Sequence, residues 1–228
     1  MKRGFIILVL CSTSAIAQAM EYGHYDLKSV VSISKTTPGK PSVTINDAYV
    51  VQILNDLGSH AGTWPVHFDS ADDQHRAEHD VVSLSALLDP LADSFNTKAL
   101  LLRLALLHAL GHNLDIPGAD EKAVAVFNKA LQLWPNDPQV NYRYGVFLAG
   151  TTKSRIEAIP LLEKAKALGV VDAEYTLGLT YLSLGDKVKA VENLKSYTTR
   201  VPNDENAARA LDAVLNDKVE AKQLKPSP

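Results

Sequence analysis

Ala123, Phe127, Ala130 and Pro135 set a small residue, a large apolar one, a second small one and a helix stop in order along the chain. The first three fall at i, i+4 and i+7, so they share one face of a helix. The order returns as Ala158, Leu162 and Ala165, and again, with an aromatic in the second small place, as Ala190, Leu194, Tyr197 and Pro202. Ahead of each run a large residue is joined to glycine, at Leu110-Gly111, Tyr144-Gly145 and Leu177-Gly178, with the glycines 34 and then 33 residues apart. A period of this length restricts the chain to architectures stacked from one repeated supersecondary unit. The unit is a helical hairpin, in which a residue without a side chain lets the second helix approach closely.

The three copies span about 104–137, 138–170 and 171–204. The first runs through a helix-rich Ala/Leu segment, a break at Pro117-Gly118 and a second helix for which Asp120 is a candidate cap. The second has a loop one residue longer (AGTTKSR) and an exit turn without proline, where Gly169 supplies the stop. Pro160 lies inside its second helix and calls for a late start or a mild kink. In the third, Gly185-Asp186 is the turn. A capping helix is expected over 206–221, with Leu211, Val214, Leu215 and Val219 turned inward, and a disordered tail over 222–228.

The pattern Leu-Gly-x2-Tyr of the third copy, with its looser versions in the other two, resembles the tetratricopeptide repeat (TPR). The resemblance covers about half the chain. It implies an all-α fold: an α/α superhelical repeat of about three hairpins plus the capping helix, residues 97–221 in all. It also implies a concave groove lined by the first helix of each hairpin. On those helices the residues not committed to the hairpin are Ala105, His108 and His112, then Gln139, Tyr142, Arg143, Val146 and Ala149, then Asp172, Tyr175, Leu179 and Leu182. Some family members clamp a carboxylate with lysines and asparagines there. Here Arg143 is the cation present, so the implied groove is aromatic and apolar, with Tyr142 and Tyr175 as anchors.

Residues 1–19 read as a secretory signal peptide: Lys2 and Arg3, an apolar run from Phe5 to Leu10, and small residues at Ala15, Ala17 and Ala19. The run is shorter than the roughly 20 residues that span a bilayer. Cys11 is the only cysteine and sits inside this segment, so ordinary cleavage leaves a chain without disulfide or thiolate chemistry. LVLC resembles a lipobox, but Leu10 occupies the place of a small residue, which favours ordinary cleavage over lipidation. A bacterial periplasmic location is the expectation. The formal charge of -3 gives no reason to expect nucleic acid or stable membrane insertion.

Residues 20–96 form an N-terminal appendage. SVVSIS and SVTI flank TTPGKP, which predicts a short β-hairpin within 29–45. Asn46 caps a helix expected over 47–57, stopped by Gly58. A loop follows at GTWPVHFD, whose two large aromatics are expected to pack on the helices nearby. A second helix is expected over 71–88, opened by Ser70, Asp72 and Asp73 and ended or kinked at Pro90. Its first part is polar, so burial is expected in the part holding Val81, Leu84, Leu87, Leu88 and Leu91.

The function read from these features is a non-enzymatic periplasmic TPR adaptor that binds a protein or peptide of the cell envelope, with no cofactor. Two other readings stand beside it. His75, Glu78 and His79 match H-x-x-E-H, in which two histidines hold zinc and the glutamate is general base, so a metal-dependent hydrolase is one. The other is a self-assembling homo-oligomeric subunit. His108 and His112 point either into the groove, where protonation near pH 6.5 would tune binding, or against the helix ending near Leu88. The groove residues could also meet the chain's own N-terminal segment. No nucleophile motif or phosphate-binding Gly-rich loop is present.

Overall fold

The computed structural model describes residues 21–34, 42–151 and 154–216. The expected signal peptide, the turn between the two strands and the expected tail lie outside the described residues, as do the last residues expected in the capping helix. The chain divides between Gln132 and Leu133 into two compact units. In order, the elements are β1 (Val31–Ser34), β2 (Ser42–Ile45), α1 (Asp47–Ala61), α2 (Ala71–Phe95), α3 (Lys98–Asn113), α4 (Ala119–Leu133), α5 (Pro138–Gly150), α6 (Arg155–Ala167), α7 (Asp172–Ser183), α8 (Lys187–Arg200) and α9 (Glu205–Leu215).

In the first unit β1 and β2 pair antiparallel, with Val31 opposite Ile45 and Ser34 opposite Ser42. Asn46 caps α1 by accepting from the Tyr49 N–H. The helix does not stop at Gly58. Leu57, His60 and Ala61 are all buried, and that burial outweighs the cost of about 1 kcal/mol for an interior glycine. Nor does α2 stop at Pro90. The proline is exposed, as is Ala86, whose carbonyl it leaves unpaired, so water can satisfy the freed acceptor. The helix ends instead at Asn96, in the left-handed conformation with φ 35°.

The first half of α2 is also not a solvated stretch. Asp73, Ala77, Asp80, Val81, Leu84 and Leu88 make one continuous buried stripe, while Leu87 is 39% exposed. The carboxylates enter the core because each has a partner, Asp73 in Arg76 and Asp80 in the Tyr22 hydroxyl at 3.0 Å. Of the two loop aromatics, Phe68 stacks on His60 at 5.0 Å, whereas Trp64 stays 44% exposed. α3 packs on α1 and α2. α4 begins at Ala119, so Asp120 lies within its first turn and is not its cap.

In the second unit α5 packs on α6, α6 on α7, α7 on α8 and α8 on α9. The repeated small residues Ala158, Ala165 and Ala190 are fully buried, as are Leu162 and Leu194. A Cβ on Gly145 would lie 2.7 Å from Leu162 Cγ, and one on Gly178 2.6 Å from Leu194 Cγ. α6 starts at Arg155, five residues before Pro160, so the start is not late. Asp137 and Asp204 cap α5 and α9 with side-chain oxygens.

Three helix ends close by one device. After α3, α6 and α7 a left-handed residue, Asp115 (φ 59°), Gly169 (φ 93°) or Gly185 (φ 83°), lets the next N–H return to a carbonyl five residues back. The bonds are Ile116 to Gly111 at 2.9 Å, Val170 to Ala165 at 3.0 Å and Asp186 to Tyr181 at 2.9 Å. Gly185→Ala is expected to cost about 1 kcal/mol, because an L side chain at positive φ is strained whatever space surrounds it. A midpoint of urea unfolding equal to the wild type would contradict this.

Candidate partner-binding surface

α5 and α7 each bury one face and leave the other open. On α5 Val140, Tyr144, Phe147 and Leu148 are buried, while Tyr142 and Ala149 are half-buried and Arg143 and Val146 exposed. On α7 Ala173, Leu177, Gly178 and Tyr181 are buried, while Tyr175, Thr176 and Leu179 are half-buried and Asp172 is exposed. Leu182, placed in the groove by its spacing, is only 6% exposed and belongs to the core.

The two tyrosines are held from behind. The Tyr175 ring lies 5.3 Å from that of Tyr197 on α8. Tyr197 donates to Asp204 Oδ2 at 3.0 Å, and Asp204 Oδ1 accepts the Asn206 and Ala207 N–H groups at the start of α9. Tyr142 lies beside the Thr176 side chain of α7. Burial pushes the hydroxyls of Tyr142 and Tyr175 up, and desolvation with the Asp204 bond pushes Tyr197 up to about 12. All three are neutral phenols at physiological pH. Tyr197 holds a hairpin position in the repeat, and only its aromatic character, at a place that carries alanine in the other two copies, marks Tyr197 and Asp204 in the sequence.

The histidines take other places. His108 is 2% exposed in the first unit, and its Nε2 lies 2.9 Å from Asp89 Oδ1 on α2. It therefore faces α2 and not open surface. A carboxylate accepts, so Nε2 carries the proton. Asp89 Oδ2 also accepts from Lys122 of α4 at 2.9 Å, so one carboxylate ties three helices. Burial pushes the Asp89 carboxyl up, but the His108 and Lys122 bonds outweigh it and hold it below its ordinary value. A depressed value means that the stabilisation is complete above the unfolded carboxyl's pKa of about 3.9 and is lost as pH falls through the folded one. Asp89→Asn is expected to flatten this part of the acid unfolding curve, followed by circular dichroism between pH 6 and 2; an unchanged curve would count against it.

His112 is half-buried. His75 and His79 are exposed and line an open cleft with residues 23–28. Glu78 accepts from Gln74 Nε2 at 2.9 Å, and His79 lies 3.5 Å from Asp80 and from Ser83. No group of three His, Cys, Asp or Glu placed to hold a metal occurs among the described residues. The hydrolase reading finds no support in this arrangement. Residues 22–25 are anchored on α1 and α2, through Tyr22 to Asp80 and Tyr25 to Asp56 at 2.6 Å.

Residues 172–204, which hold α7 and α8 with their glycine seat and αL turn, match the family model of the tetratricopeptide repeat. The chain therefore carries a tetratricopeptide repeat over these residues. Its fold is similar to the crystal structure of MamA, with a TM-score of 0.53 and 23% identity over 67% of this chain and 86% of that one. It is also similar to a thermophilic TPR protein of Thermus thermophilus, with a TM-score of 0.51 and 15% identity over 74% of this chain and 92% of that one. At these identities the likeness is one of fold. No curated protein matches the chain in sequence. The TPR fold is that of a protein–protein interaction scaffold.

Proposed function

We propose that this TPR protein is an exported, non-enzymatic adaptor of the bacterial cell envelope, which holds a protein or peptide segment on the open face of α5 and α7. One observation carries the reading: Tyr142 and Tyr175, from the first helices of consecutive repeats, stand half-buried beside exposed Val146 and half-buried Leu179. Tyrosine suits such a place, because it presents a large rigid ring at small entropic cost. The pattern of residues 1–19 supports export.

Capture from an envelope extract by the purified chain, followed by titration of the captured protein, tests the binding face. Tyr142→Ala with Tyr175→Ala is expected to weaken binding on the order of a hundredfold or more, since each aromatic anchor contributes roughly 2 kcal/mol. If the double variant, still helical, retains every partner at full affinity, the reading fails. Amino-terminal sequencing of the protein recovered from cells tests export; a chain that keeps residues 1–19 would contradict it.

A further inference from the structure

The open face of α5 and α7 carries charge as well as rings. Asp172 lies in the first turn of α7. It is exposed, and its carboxylate meets no donor or cation among the described residues. One turn further on, the Thr176 hydroxyl donates to the Asp172 carbonyl at 3.2 Å, and it is this Thr176 side chain that Tyr142 meets. The Asp172 charge also acts on the Tyr142 hydroxyl, so the two groups flank the same spot. Asp204, in contrast, spends both oxygens on Tyr197 and the α9 N–H groups. Arg143, exposed and likewise without an ion pair among the described residues, stands next to Tyr142.

Resting on the reading of this face as the binding surface, we propose that it selects a peptide segment bearing a lysine or arginine beside an apolar anchor. The cation lodges against the Tyr142 ring and pairs with Asp172, while the apolar side chain meets Tyr175, Val146 and Leu179. A neutral phenol offers its negative ring face to a cation, and a carboxylate beside it supplies the counter-charge.

Two fluorescein-labelled amphipathic 15-residue peptides with the same Leu/Tyr face, one with lysine and one with glutamate at its polar positions, test this by anisotropy against the full chain at physiological salt. The lysine peptide is expected to bind at least tenfold more tightly. Asp172→Asn is expected to remove most of that preference, and Glu157→Gln, which removes the same charge from the exposed start of α6, to leave it intact. Equal affinities that both fall in the Tyr142→Ala, Tyr175→Ala variant would overturn the charge rule while leaving the binding face in place. A preference that survives Asp172→Asn, or that Glu157→Gln lowers as much, would overturn it as a general field effect. No binding of either peptide to the wild type would overturn the rule and count against the face itself.

Discussion

Gly178→Val is expected to cost about 3 kcal/mol of stability in the second unit, from overpacking a fitted helix contact. A Cβ at this position falls 2.6 Å from Leu194 Cγ and 3.3 Å from the Ala190 carbonyl oxygen. Cγ is the branch point of a fully buried side chain, so it cannot swing clear as a chain tip would. Valine adds two further carbons and limited χ1 freedom to that clash. Leu194→Ala is expected to cost about 2–5 kcal/mol on its own by leaving a cavity. The double variant should lose less than the sum, because the new side chain enters the space the leucine vacates. Gly150→Ala is the control: nothing lies within 4 Å of its added Cβ, so stability should hold or rise by about 0.5 kcal/mol. Urea unfolding followed by helical ellipticity measures all four. Additive losses in the double variant would show that Gly178 and Leu194 do not share a contact.

The same contact explains why the repeats were legible in sequence. A helix pair at this separation admits only glycine on one side and alanine or a single branched residue on the other, so packing leaves its mark on residue identity. Helix ends were less legible. Gly58 and Pro90 are breakers by local rule, yet both helices continue, because His60 and Ala61, and Ala92 beyond the proline, have a core to enter. Asp73 and Asp80 read as solvated carboxylates until the distant Tyr22 and the neighbouring Arg76 were placed beside them. His108 followed the same logic: its spacing on α3 left two faces open, and Asp89 on α2 decides between them. The register kept Tyr142 and Tyr175 clear of the hairpin contacts, and both are half-buried. It did not reveal that Tyr197 and Asp204 brace them, since that link joins three helices.

Tyr22 is the residue whose loss should damage the first unit most. It is fully buried, with its ring edge-on to Tyr25, His60 and Phe68 at 5.7, 5.7 and 6.2 Å and its hydroxyl bound to Asp80. Tyr22→Ala is expected to cost about 3–5 kcal/mol, read as faster hydrogen exchange in α1 and α2. Tyr22→Phe keeps the ring but leaves the Asp80 carboxylate without its phenol donor, at a cost of about 1–3 kcal/mol. The two variants therefore separate packing from hydrogen bonding. Burial first, then the charge of Asp80, pushes the Tyr22 hydroxyl well above its ordinary value; burial and the hydrogen bond to Asp56 do the same for Tyr25. A raised value means that the folded state resists losing this proton. Stability is then complete below the unfolded phenol's pKa of about 10 and falls as pH rises beyond it. The wild type should lose stability steeply above that point, and Tyr22→Phe, though weaker at pH 7, should lose it less steeply. Parallel alkaline curves would mean that the Tyr22 hydroxyl is not held against Asp80 in the folded chain.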